Sequence, residues 1–483
     1  MSMKAFNLFD GIPITGFDAD VNFEADVKAV CFDSRDIKEG CVFFAYSGSA
    51  FDSHSVAEKV YAEGKVLFIA AERKLENIPT VIVEDGRKAL ALACRNFFGR
   101  PDEKMEKVGV TGTNGKTTVT YLLEAIMAAA GKKPLRMGTT GHRYAGKDVP
   151  SNVTTPSSYD YYKVLADAVA DGCNALAVEV SSHALDQQRL YGTKFDVALF
   201  TNLSGDHLDY HHTMEEYFSA KRRLFQDDYA NIAVVNMDND YGMRLIKEKS
   251  IDTIKYGVSE RAEISAEEIA FTLNGITARV RYPGNTFNIS TTLVGLHNLE
   301  NILAAVSAAI ALGINDDAIA KGIESLKNVP GRLEKFEVNG AFVFVDYAHT
   351  DDALINVLEA LTPFKKTKIT TIFGCGGDRD RTKRPRMAKA AENYSDVIIV
   401  TSDNPRTESP QQIIEDILKG FENAEKVVIC PDRGEAIKTA LVKAEPGDIV
   451  LIAGKGHEDY MVIGKEKIHF DDREEVRKFL KQD

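Results

Sequence analysis

The first residues with recognisable chemistry form a short loop between an apolar run and a helical pattern: Gly112, Thr113, Asn114, Gly115, Lys116, Thr117 and Thr118. The two glycines let the backbone approach phosphate oxygens, and the free N–H groups at the start of the next helix point at the same oxygens. Lys116 adds a positive charge, and the Thr117 hydroxyl is suited to Mg²⁺. The loop therefore predicts nucleotide phosphate binding. A glycine turn that only joins strand to helix is the alternative, because a strict phosphate loop has glycine where this chain has Val110.

A strand and a helix must position this loop. The apolar residues from Val108 to Thr111 predict the strand. The helix is predicted by apolar residues that recur on one face, at Leu122, Leu123, Ile126 and Met127. Gly131 is placed to end it.

Two further predicted strands of the same region end in polar residues. The run from Ala175 to Val180 carries Glu179, and the run from Phe195 to Leu203 leads to His207. Ligands gather at the carboxyl ends of strands in open α/β sheets, so Glu179 and His207 are candidate metal ligands. A capping or core histidine is the alternative for His207. Lys221 lies in a predicted helix, Met214 to Phe225, whose periodicity by itself indicates a solvated lysine.

The N-terminal segment alternates short apolar runs with polar or helical stretches, which predicts a small α/β domain up to a glycine-proline break at Phe98 to Pro101. Its strand candidates are Ala29 to Phe32, Val42 to Ala45, Val66 to Ala70 and Thr80 to Val83. Asp33-Ser34-Arg35 follows the first of them. The triplet is suited to an anionic ligand, although a surface turn explains it equally well.

The C-terminal segment predicts a second doubly wound unit, with strands at Phe342 to Val345, Ile369 to Phe373, Val397 to Val400, Lys426 to Ile429 and Ile449 to Ile452. Four of these strands run into polar motifs: Asp346-Tyr347-Ala348-His349, Gly376-Gly377-Asp378-Arg379-Asp380, Asp403-Asn404-Pro405-Arg406 and Gly454-Lys455-Gly456-His457-Glu458. Several charged loops at one sheet edge predict a site. Asp346 could alternatively end a Walker-B strand and bind Mg²⁺.

Composition limits the class of protein. A chain of 483 residues exceeds what one core usually serves and suggests about three domains. The net charge of -13 argues against general nucleic-acid binding. Six scattered cysteines without a Cys-x-x-Cys pair predict reduced thiols. With no apolar run suited to membrane insertion and no signal-peptide pattern, we expect a cytoplasmic protein, and we expect a monomer.

The motifs resemble, in the same order, those of the Mur ligase family, the ATP-dependent amide-forming enzymes of bacterial peptidoglycan synthesis. They are Thr111 to Thr118, Glu179 to His183, Thr201 to Leu203, Asp206 to Asp209, Lys221, Gly295-x-His297-Asn298 and Gly331-Arg332. The match extends along nearly the whole chain, and the family's phosphate loop is the variant found here. Asp52-Ser53-His54 departs from the family, which more often has glycine in the middle.

The resemblance implies an α/β protein of three domains. Residues 1–101 would form a small α/β domain that binds the uridine nucleotide. Residues 102–331 would form a P-loop ATPase-like domain with a mostly parallel sheet, and residues 332–483 a Rossmann-like doubly wound domain that binds an amino acid.

The four C-terminal motifs narrow the resemblance to members that attach a diamino acid to UDP-N-acetylmuramoyl-L-alanyl-D-glutamate. ATP would phosphorylate the D-glutamate γ-carboxylate, and the amine would attack the acyl phosphate, because a carboxylate alone is a poor electrophile. Lys116 and Mg²⁺ would stabilise the charge that moves off the γ-phosphate.

The resemblance also assigns roles to single positions. Lys116, Lys221 and His207 would be catalytic. ATP would be bound by Gly112, Thr113, Asn114, Gly115, Lys116, Thr117, Thr118, His297, Asn298, Arg332 and, at its ribose, Asp346. The metal ligands would be Thr117, Glu179, His207 and Lys221, with Lys221 carbamylated. The muramoyl dipeptide nucleotide would be bound by Ser34, Thr154, Thr155, Ser181, Gln187 and Arg189. The diamino acid would be bound by Arg379, Asp403, Asn404, Pro405, Arg406, Gly454 and Glu458.

The diamino acid itself is predicted from charge. Meso-diaminopimelate differs from L-lysine by a distal carboxylate, and Arg406 is the residue type that pairs with a carboxylate in bidentate fashion. Arg379 would suit the other carboxylate, and Glu458 an ammonium group. An arginine that only braces its own loop is the alternative. L-lysine and lanthionine remain alternative substrates.

Two other functions remain open from the sequence. Folylpolyglutamate synthetase shares the fold and the acyl-phosphate chemistry, but it leaves the N-terminal domain and Asp403 to Arg406 unexplained. A P-loop switch or transport ATPase would not need four polar loops on a third domain.

Overall fold

The computed structural model describes residues 2–48 and 51–481, apart from the side chain of residue 424. Three large sheets follow one another along the chain, each made mostly of parallel strands with helices packed beside them. The predicted α/β class is therefore confirmed.

The N-terminal part has a five-stranded sheet in the order β2-β7-β6-β5-β4, in which β2 is an antiparallel edge strand and the others are parallel. A separate pair is formed by β1 and β3. The elements are β1 (Met3–Lys4), α1 (Ala5–Leu8), β2 (Ile14–Phe17), β3 (Asp26–Val27), β4 (Ala29–Cys31), β5 (Cys41–Ala45), α2 (Ala57–Ala62), β6 (Val66–Ala71), β7 (Thr80–Val83) and α3 (Gly86–Phe97).

The central part has an eight-stranded sheet in the order β11-β10-β9-β12-β8-β13-β14-β15, which is parallel except for the antiparallel edge formed by β10 and β11. A small antiparallel sheet has the order β16-β17-β18. The elements are β8 (Glu106–Thr111), α4 (Lys116–Ala129), β9 (Pro134–Gly138), β10 (Gly141–Tyr144), β11 (Lys147–Val149), α5 (Ser158–Ala170), β12 (Ala175–Glu179), α6 (Ser182–Asp186), β13 (Phe195–Phe200), α7 (Leu208–His211), α8 (Met214–Arg222), β14 (Ala230–Asn236), α9 (Asp240–Glu248), β15 (Asp252–Tyr256), β16 (Ser265–Thr272), β17 (Gly275–Tyr282), β18 (Asn285–Thr291), α10 (Leu296–Ala311) and α11 (Asp316–Ser325).

The C-terminal part has a six-stranded sheet in the order β19-β20-β24-β21-β22-β23, with β19 antiparallel and the rest parallel. Helices α12 to α14 cover one face and α15 and α16 the other, with a separate apolar core under each set. The elements are β19 (Glu334–Val338), β20 (Ala341–Asp346), α12 (Asp351–Leu361), β21 (Ile369–Phe373), α13 (Lys383–Tyr394), β22 (Val397–Val400), α14 (Pro410–Leu418), β23 (Val427–Ile429), α15 (Arg433–Val442), β24 (Ile449–Ala453), the hairpin β25 (Tyr460–Ile463) and β26 (Glu466–His469), and α16 (Asp472–Leu480).

Short 3-10 turns complete the described elements, at Ser53–Val56, Pro101–Lys104, Arg223–Phe225, Thr362–Phe364 and Ala424–Lys426. The predicted strands are confirmed to within one or two residues, with one exception. The run predicted to reach Leu203 ends as a strand at Phe200, because the next residues leave the sheet to hold the phosphate loop. The predicted helix from Met214 to Phe225 closes with a 3-10 turn after Arg222.

The central sheet places its polar strand ends side by side. Strand β8 lies between β12 and β13, so the loop after β8 is flanked by Glu179 on one side and by the segment after Phe200 on the other. The apolar face of α4, predicted from the sequence, is buried against α10 and α11. This packing fixes the N-terminus of α4 at the sheet edge, where the loop lies.

Candidate active site

The loop from Gly112 to Gly115 needs its glycines for packing within the chain as well as for the close approach of phosphate. Gly112 and Gly115 have φ angles of +148° and +88°. A Cβ atom at Gly112 would overlap the Thr201 hydroxyl, and one at Gly115 would overlap the side-chain amide of Asn301. The sequence argument explained these glycines by approach of phosphate, and the structure adds two contacts within the chain that exclude any larger residue.

Residues after β13 hold this loop in place. Thr113 N–H donates to the Asn202 carbonyl at 2.9 Å, and the Thr201 hydroxyl donates to the Asn114 carbonyl at 2.6 Å. The Thr113 hydroxyl in turn accepts from Ser204 N–H at 3.0 Å. The loop is therefore preorganised by hydrogen bonds that leave the N–H groups of α4 free at its centre.

Two lysines converge on one carbonyl of the loop. Lys116 Nζ donates to the Gly112 and Thr113 carbonyls at 2.8 and 2.7 Å, and Lys221 Nζ donates to the same Gly112 carbonyl at 2.9 Å. Lys221 is only 1% exposed. Burial, together with the neighbouring Lys116 cation, holds the pKa of Lys221 well below its usual range.

The position of Lys221 corrects the interpretation of helix α8 from periodicity alone. That interpretation made Lys221 a solvated side chain. The structure buries Lys221 because α8 packs against α6 and the phosphate loop. The Lys221 Nζ lies 4.7 Å from the centre of the Tyr217 ring. A buried lysine with no carboxylate partner among the described residues is a candidate for a chemical role.

Glu179 is fully buried at the end of β12 and is held by one residue. Thr139 donates to both carboxylate oxygens, from its N–H to Oε1 and from its hydroxyl to Oε2, each at 3.0 Å. Thr139 belonged to no sequence motif and was missed. It lies in the turn between β9 and β10, and only the pairing of β9 with β12 brings it to Glu179.

His207 lies at the start of α7 and lines the same cavity as Glu179, in a left-handed backbone conformation with φ of +56°. Burial lowers the pKa of His207 to about 4, while the nearby Asp206 carboxylate opposes the shift. The imidazole is therefore neutral near pH 7, which is the form that binds a metal.

One cavity of about 810 Å³ joins these groups to the C-terminal part of the chain. The predicted residues that line it are Thr113, Asn114, Gly115, Lys116, Thr117, Thr118, Thr154, Glu179, Ser181, His207, Lys221, His297, Asn298, Arg332 and Asp346. Further lining residues that the sequence did not single out include Asn236, Glu300 and Asn301. They lie on ordinary helices and strand ends and carry no motif that would have identified them.

Arg332 and Asp346 reach the cavity from the start of the C-terminal part. Arg332 donates to the Thr117 hydroxyl at 3.3 Å and stacks 4.6 Å from the centre of the Tyr347 ring. Asp346 accepts backbone N–H groups at both carboxylate oxygens, from Leu333 at 2.7 Å and from Ala348 at 2.8 Å. These bonds fix the chain between the central and C-terminal sheets.

The residues predicted to bind the dipeptide nucleotide form a network next to Glu179, except for Ser34. Arg189 donates to the Thr155 carbonyl at 2.7 Å and to Gln187 Oε1 at 2.8 Å, and the Thr155 hydroxyl accepts from Ser181 N–H at 3.0 Å. The Thr154 hydroxyl lies 3.0 Å from that of Thr139.

Ser34 lies in the N-terminal part, in the turn after β4. Its neighbours Asp33 and Arg35 pair with each other at 2.6 Å, so this guanidinium is engaged within the triplet. In the divergent segment after β5, His54 is buried and its Nδ1 lies 2.5 Å from Asp52. The serine in place of the family's glycine fits there, because the Ser53 hydroxyl binds the Tyr46 backbone.

The four C-terminal motifs meet at one edge of the third sheet. Arg406 donates to the Gly377 carbonyl at 2.8 Å, and a Cβ atom at Gly376 would lie 2.9 Å from the Arg406 guanidinium and 3.9 Å from the Arg379 side chain. Neither arginine has an ion-pair partner among the described residues. The alternative interpretation expected Arg406 to brace its own loop, whereas Arg406 donates to a neighbouring loop and makes no other side-chain hydrogen bond with the described residues.

Acidic and amide groups lie on the other side of the same edge. Asn404 donates from Nδ2 to Glu458 Oε2 at 2.9 Å, and Asp403 is buried beneath Gly454. The edge therefore presents the Arg406 guanidinium, the Arg379 side chain and the Glu458 carboxylate, an arrangement complementary to an amino acid that carries both carboxylate and ammonium groups.

The donor set of the cavity fits a small hard cation. Thr117 and Glu179 offer a hydroxyl and a carboxylate, the oxygen ligands that Mg²⁺ prefers. No group of three His, Cys, Asp or Glu side chains suited to a metal occurs in the described residues, so a bound ion would need oxygens from a substrate or water.

None of the described helices is long and apolar enough to cross a membrane.

The Gly138→Ala variant tests how tightly Glu179 must be placed. A Cβ atom at Gly138 would overlap the Glu179 carboxylate, so the substitution should displace that carboxylate from Thr139. We expect the Mg²⁺ concentration for half-maximal ATP turnover to rise about tenfold, as for other lost supports of a ligand. Gly16→Ala is the control, since its Cβ would make an ordinary contact of 3.5 Å with Ile82. An unchanged Mg²⁺ requirement in Gly138→Ala would contradict a metal role for Glu179.

Comparisons with known proteins match this architecture. Residues 110–309 match the Mur ligase middle domain, and residues 331–456 match the Mur ligase glutamate ligase domain. The chain is 44% identical over 477 residues to a UDP-N-acetylmuramoyl-L-alanyl-D-glutamate--2,6-diaminopimelate ligase of Geobacter metallireducens, with 93% of each chain covered. It is 41% identical to the protein of that name from Geobacillus thermodenitrificans, covering 99% of this chain and 100% of the relative. A solved structure of a ligase with the same name aligns with a TM-score of 0.74 and 32% identity, covering 100% of this chain and 99% of the other.

Proposed function

The chain belongs to the Mur ligase family, and we propose that it joins meso-diaminopimelate to the D-glutamate γ-carboxylate of UDP-N-acetylmuramoyl-L-alanyl-D-glutamate, with cleavage of ATP to ADP and phosphate. The observation that carries the choice of amino acid is the Arg406 guanidinium, which lies next to Gly376 and has no ion-pair partner within the described residues, in the loop whose Asn404 donates to Glu458. Relatives at 41 to 44% identity carry the name of this activity.

The proposed reaction has two steps. A γ-carboxylate oxygen of D-glutamate attacks the γ-phosphorus of ATP, the bond to the β–γ bridging oxygen breaks, and ADP leaves. The neutral amine of diaminopimelate then attacks the acyl phosphate carbon, loses a proton and expels phosphate as the amide forms. Lys116 at the phosphate loop and Arg332 beside Thr117 would stabilise the negative charge on the transferred phosphoryl group.

We assign Mg²⁺ to Thr117 and Glu179, with His207 and a carbamylated Lys221 supporting a second ion. Mg²⁺ would neutralise charge on the ATP phosphates. The neutral imidazole of His207 and the lowered pKa of Lys221 support this assignment, because a neutral amine is the form that combines with CO₂.

The remaining assignments follow the three parts of the chain. Residues 1–101 would hold the uridine nucleotide near Ser34, residues 102–331 would hold ATP, and residues 332–483 the amino acid. Thr154, Thr155, Ser181, Gln187 and Arg189 would bind the muramoyl dipeptide. His297 and Asn298, at the start of α10, would bind ATP, and Asp346 would bind its ribose. Arg379, Asp403, Asn404, Pro405, Arg406, Gly454 and Glu458 would bind diaminopimelate.

The test is the substrate requirement for ATP turnover. We expect ADP formation to require both the UDP-muramoyl dipeptide and meso-diaminopimelate. Turnover that instead required a folate and glutamate would indicate folylpolyglutamate synthetase, and turnover without either small molecule would indicate a switch or transport ATPase.

Closure of the C-terminal part is a further expected result. Arg332 and Asp346 line the same cavity as the phosphate loop, so ligands there contact both the central and C-terminal parts. We expect ATP and the dipeptide nucleotide together to reduce the radius of gyration in solution scattering, since closure would protect an acyl phosphate from water. Identical profiles for the free and fully liganded protein would contradict this expectation.

A further inference from the structure

Lys455 is a buried cation at the centre of the C-terminal motif cluster that the assignments above leave without a role. It follows β24 and Gly454, and its side chain has no exposed surface. Its Nζ lies 3.3 Å from Asn404 Oδ1 and 3.3 Å from Glu458 Oε2. Lys455 therefore contacts two residues assigned to the amino acid while lying behind them.

The Asn404 amide has only one orientation in this setting. Its Oδ1 accepts from Val462 N–H at 2.9 Å as well as from Lys455, and both of these groups only donate. Its Nδ2 must therefore point to Glu458, where it donates to Oε2 at 2.9 Å. Asn404 can offer a donor to a ligand, and its oxygen is already occupied.

The same contacts engage only one of the two oxygens of the Glu458 carboxylate. Oε2 accepts from both Asn404 and Lys455, whereas Oε1 accepts no hydrogen bond from the described residues. An ammonium group would therefore meet Oε1. The orientation of this free oxygen depends on the two donors that hold Oε2.

Charge supports the same arrangement. Arg433 and Asp472 form a fully buried ion pair at 2.7 Å, and Arg433 also binds the Ser402 and Ala453 carbonyls beneath the two loops. With Asp403, Glu458 and Lys455, the buried cluster contains three carboxylates and two cations. Burial raises the pKa of the Glu458 carboxyl, and the charge of Lys455 opposes this shift. Without Lys455, Glu458 would therefore take up a proton more readily.

We propose that Lys455 is a positioning residue for the diamino acid, which holds the Asn404 amide and the Glu458 carboxylate so that Glu458 Oε1 meets the ammonium group. Lys455 does not touch the substrate. The proposal rests on the proposed function for the assignment of this pocket to an amino acid.

A double-mutant cycle between Lys455→Met and Glu458→Gln tests this role. Lys455→Met should raise the KM for diaminopimelate about tenfold, through loss of a charged hydrogen bond, and leave the KM values for ATP and the dipeptide nucleotide within about twofold. In the double variant, the rise in the KM for diaminopimelate should equal that of Glu458→Gln alone, because Lys455 acts through Glu458. Lys455→Gln, which keeps a donor, should recover part of the affinity. Lys467→Met is the matched control, since Lys467 lies near the same Tyr460 ring but is exposed on the hairpin.

The proposal would be overturned if the effects of the two substitutions on the KM for diaminopimelate were additive in free energy, or if all three KM values rose equally. If Lys455→Met does not fold, the Lys455→Gln and Glu458→Gln pair provides the same cycle. Assays of the wild-type protein distinguish failure of this proposal from failure of the proposed function. If the wild type does not use diaminopimelate, the proposed function is wrong, and the cycle is then measured with the amino acid that the wild type does use.

Discussion

In Lys221→Ala, the rate of ligase turnover is expected to fall by about 100-fold or more, as when a group that supports a catalytic metal is removed. Lys221 is buried, has no carboxylate partner among the described residues and shares the Gly112 carbonyl with Lys116. Carbamylation of the neutral amine would form a bond between Nζ and the carbon of CO₂, release one proton and leave an anion in place of the amine. That anion would offset the charge of Lys116 and favour a second Mg²⁺. The measurement is ADP formation with all three substrates present.

Rescue distinguishes this role from a structural one. Acetate or formate should restore part of the activity of Lys221→Ala by occupying the vacated anion position, and should leave the wild type unchanged. Arg222→Ala is the control on the same helix, because Arg222 pairs with Glu248 at the surface. Near-normal turnover of Lys221→Ala would return this residue to the role of a structural lysine.

Arg406→Ala is expected to lower kcat/KM for meso-diaminopimelate by about 10- to 100-fold, which corresponds to a lost charged hydrogen bond of about 1.5 to 3 kcal/mol. Lysine lacks the distal carboxylate and would leave the Arg406 charge unmatched. The wild type should therefore prefer meso-diaminopimelate over L-lysine by a similar factor, and Arg406→Ala should reduce that preference. The measurement is kcat/KM for each amino acid with both proteins.

Two comparisons sharpen this test. Arg381→Ala is the control, because Arg381 lies in the same region but is exposed and pairs with Glu408. Arg406→Lys keeps the charge and loses the bidentate geometry, so it should fall between wild type and alanine. A wild type that uses L-lysine as efficiently as meso-diaminopimelate would refute the assignment. Lanthionine keeps the distal carboxylate and should be accepted by the same arginine.

The sequence by itself determined the local elements and the edge at which chemistry occurs. Strands such as Thr80–Val83 and Ile369–Phe373 were predicted at the bounds the structure has. Periodicity reports which residues of one element face the core, and the carboxyl ends of parallel strands meet at one edge. The phosphate loop and the four C-terminal motifs could therefore be placed before any tertiary contact was known.

Only the tertiary structure decided which side chains are held, buried or left free. Lys221 meets a carbonyl 109 positions earlier, and Thr139 holds a carboxylate 40 positions later. Lys455 could be read only as one member of a glycine-rich motif until folding brought Asn404 to within 3.3 Å of its ammonium group. A sequence pattern reports neighbours within a few turns or along one strand, whereas burial and charge balance arise from packing between elements that lie far apart in the chain.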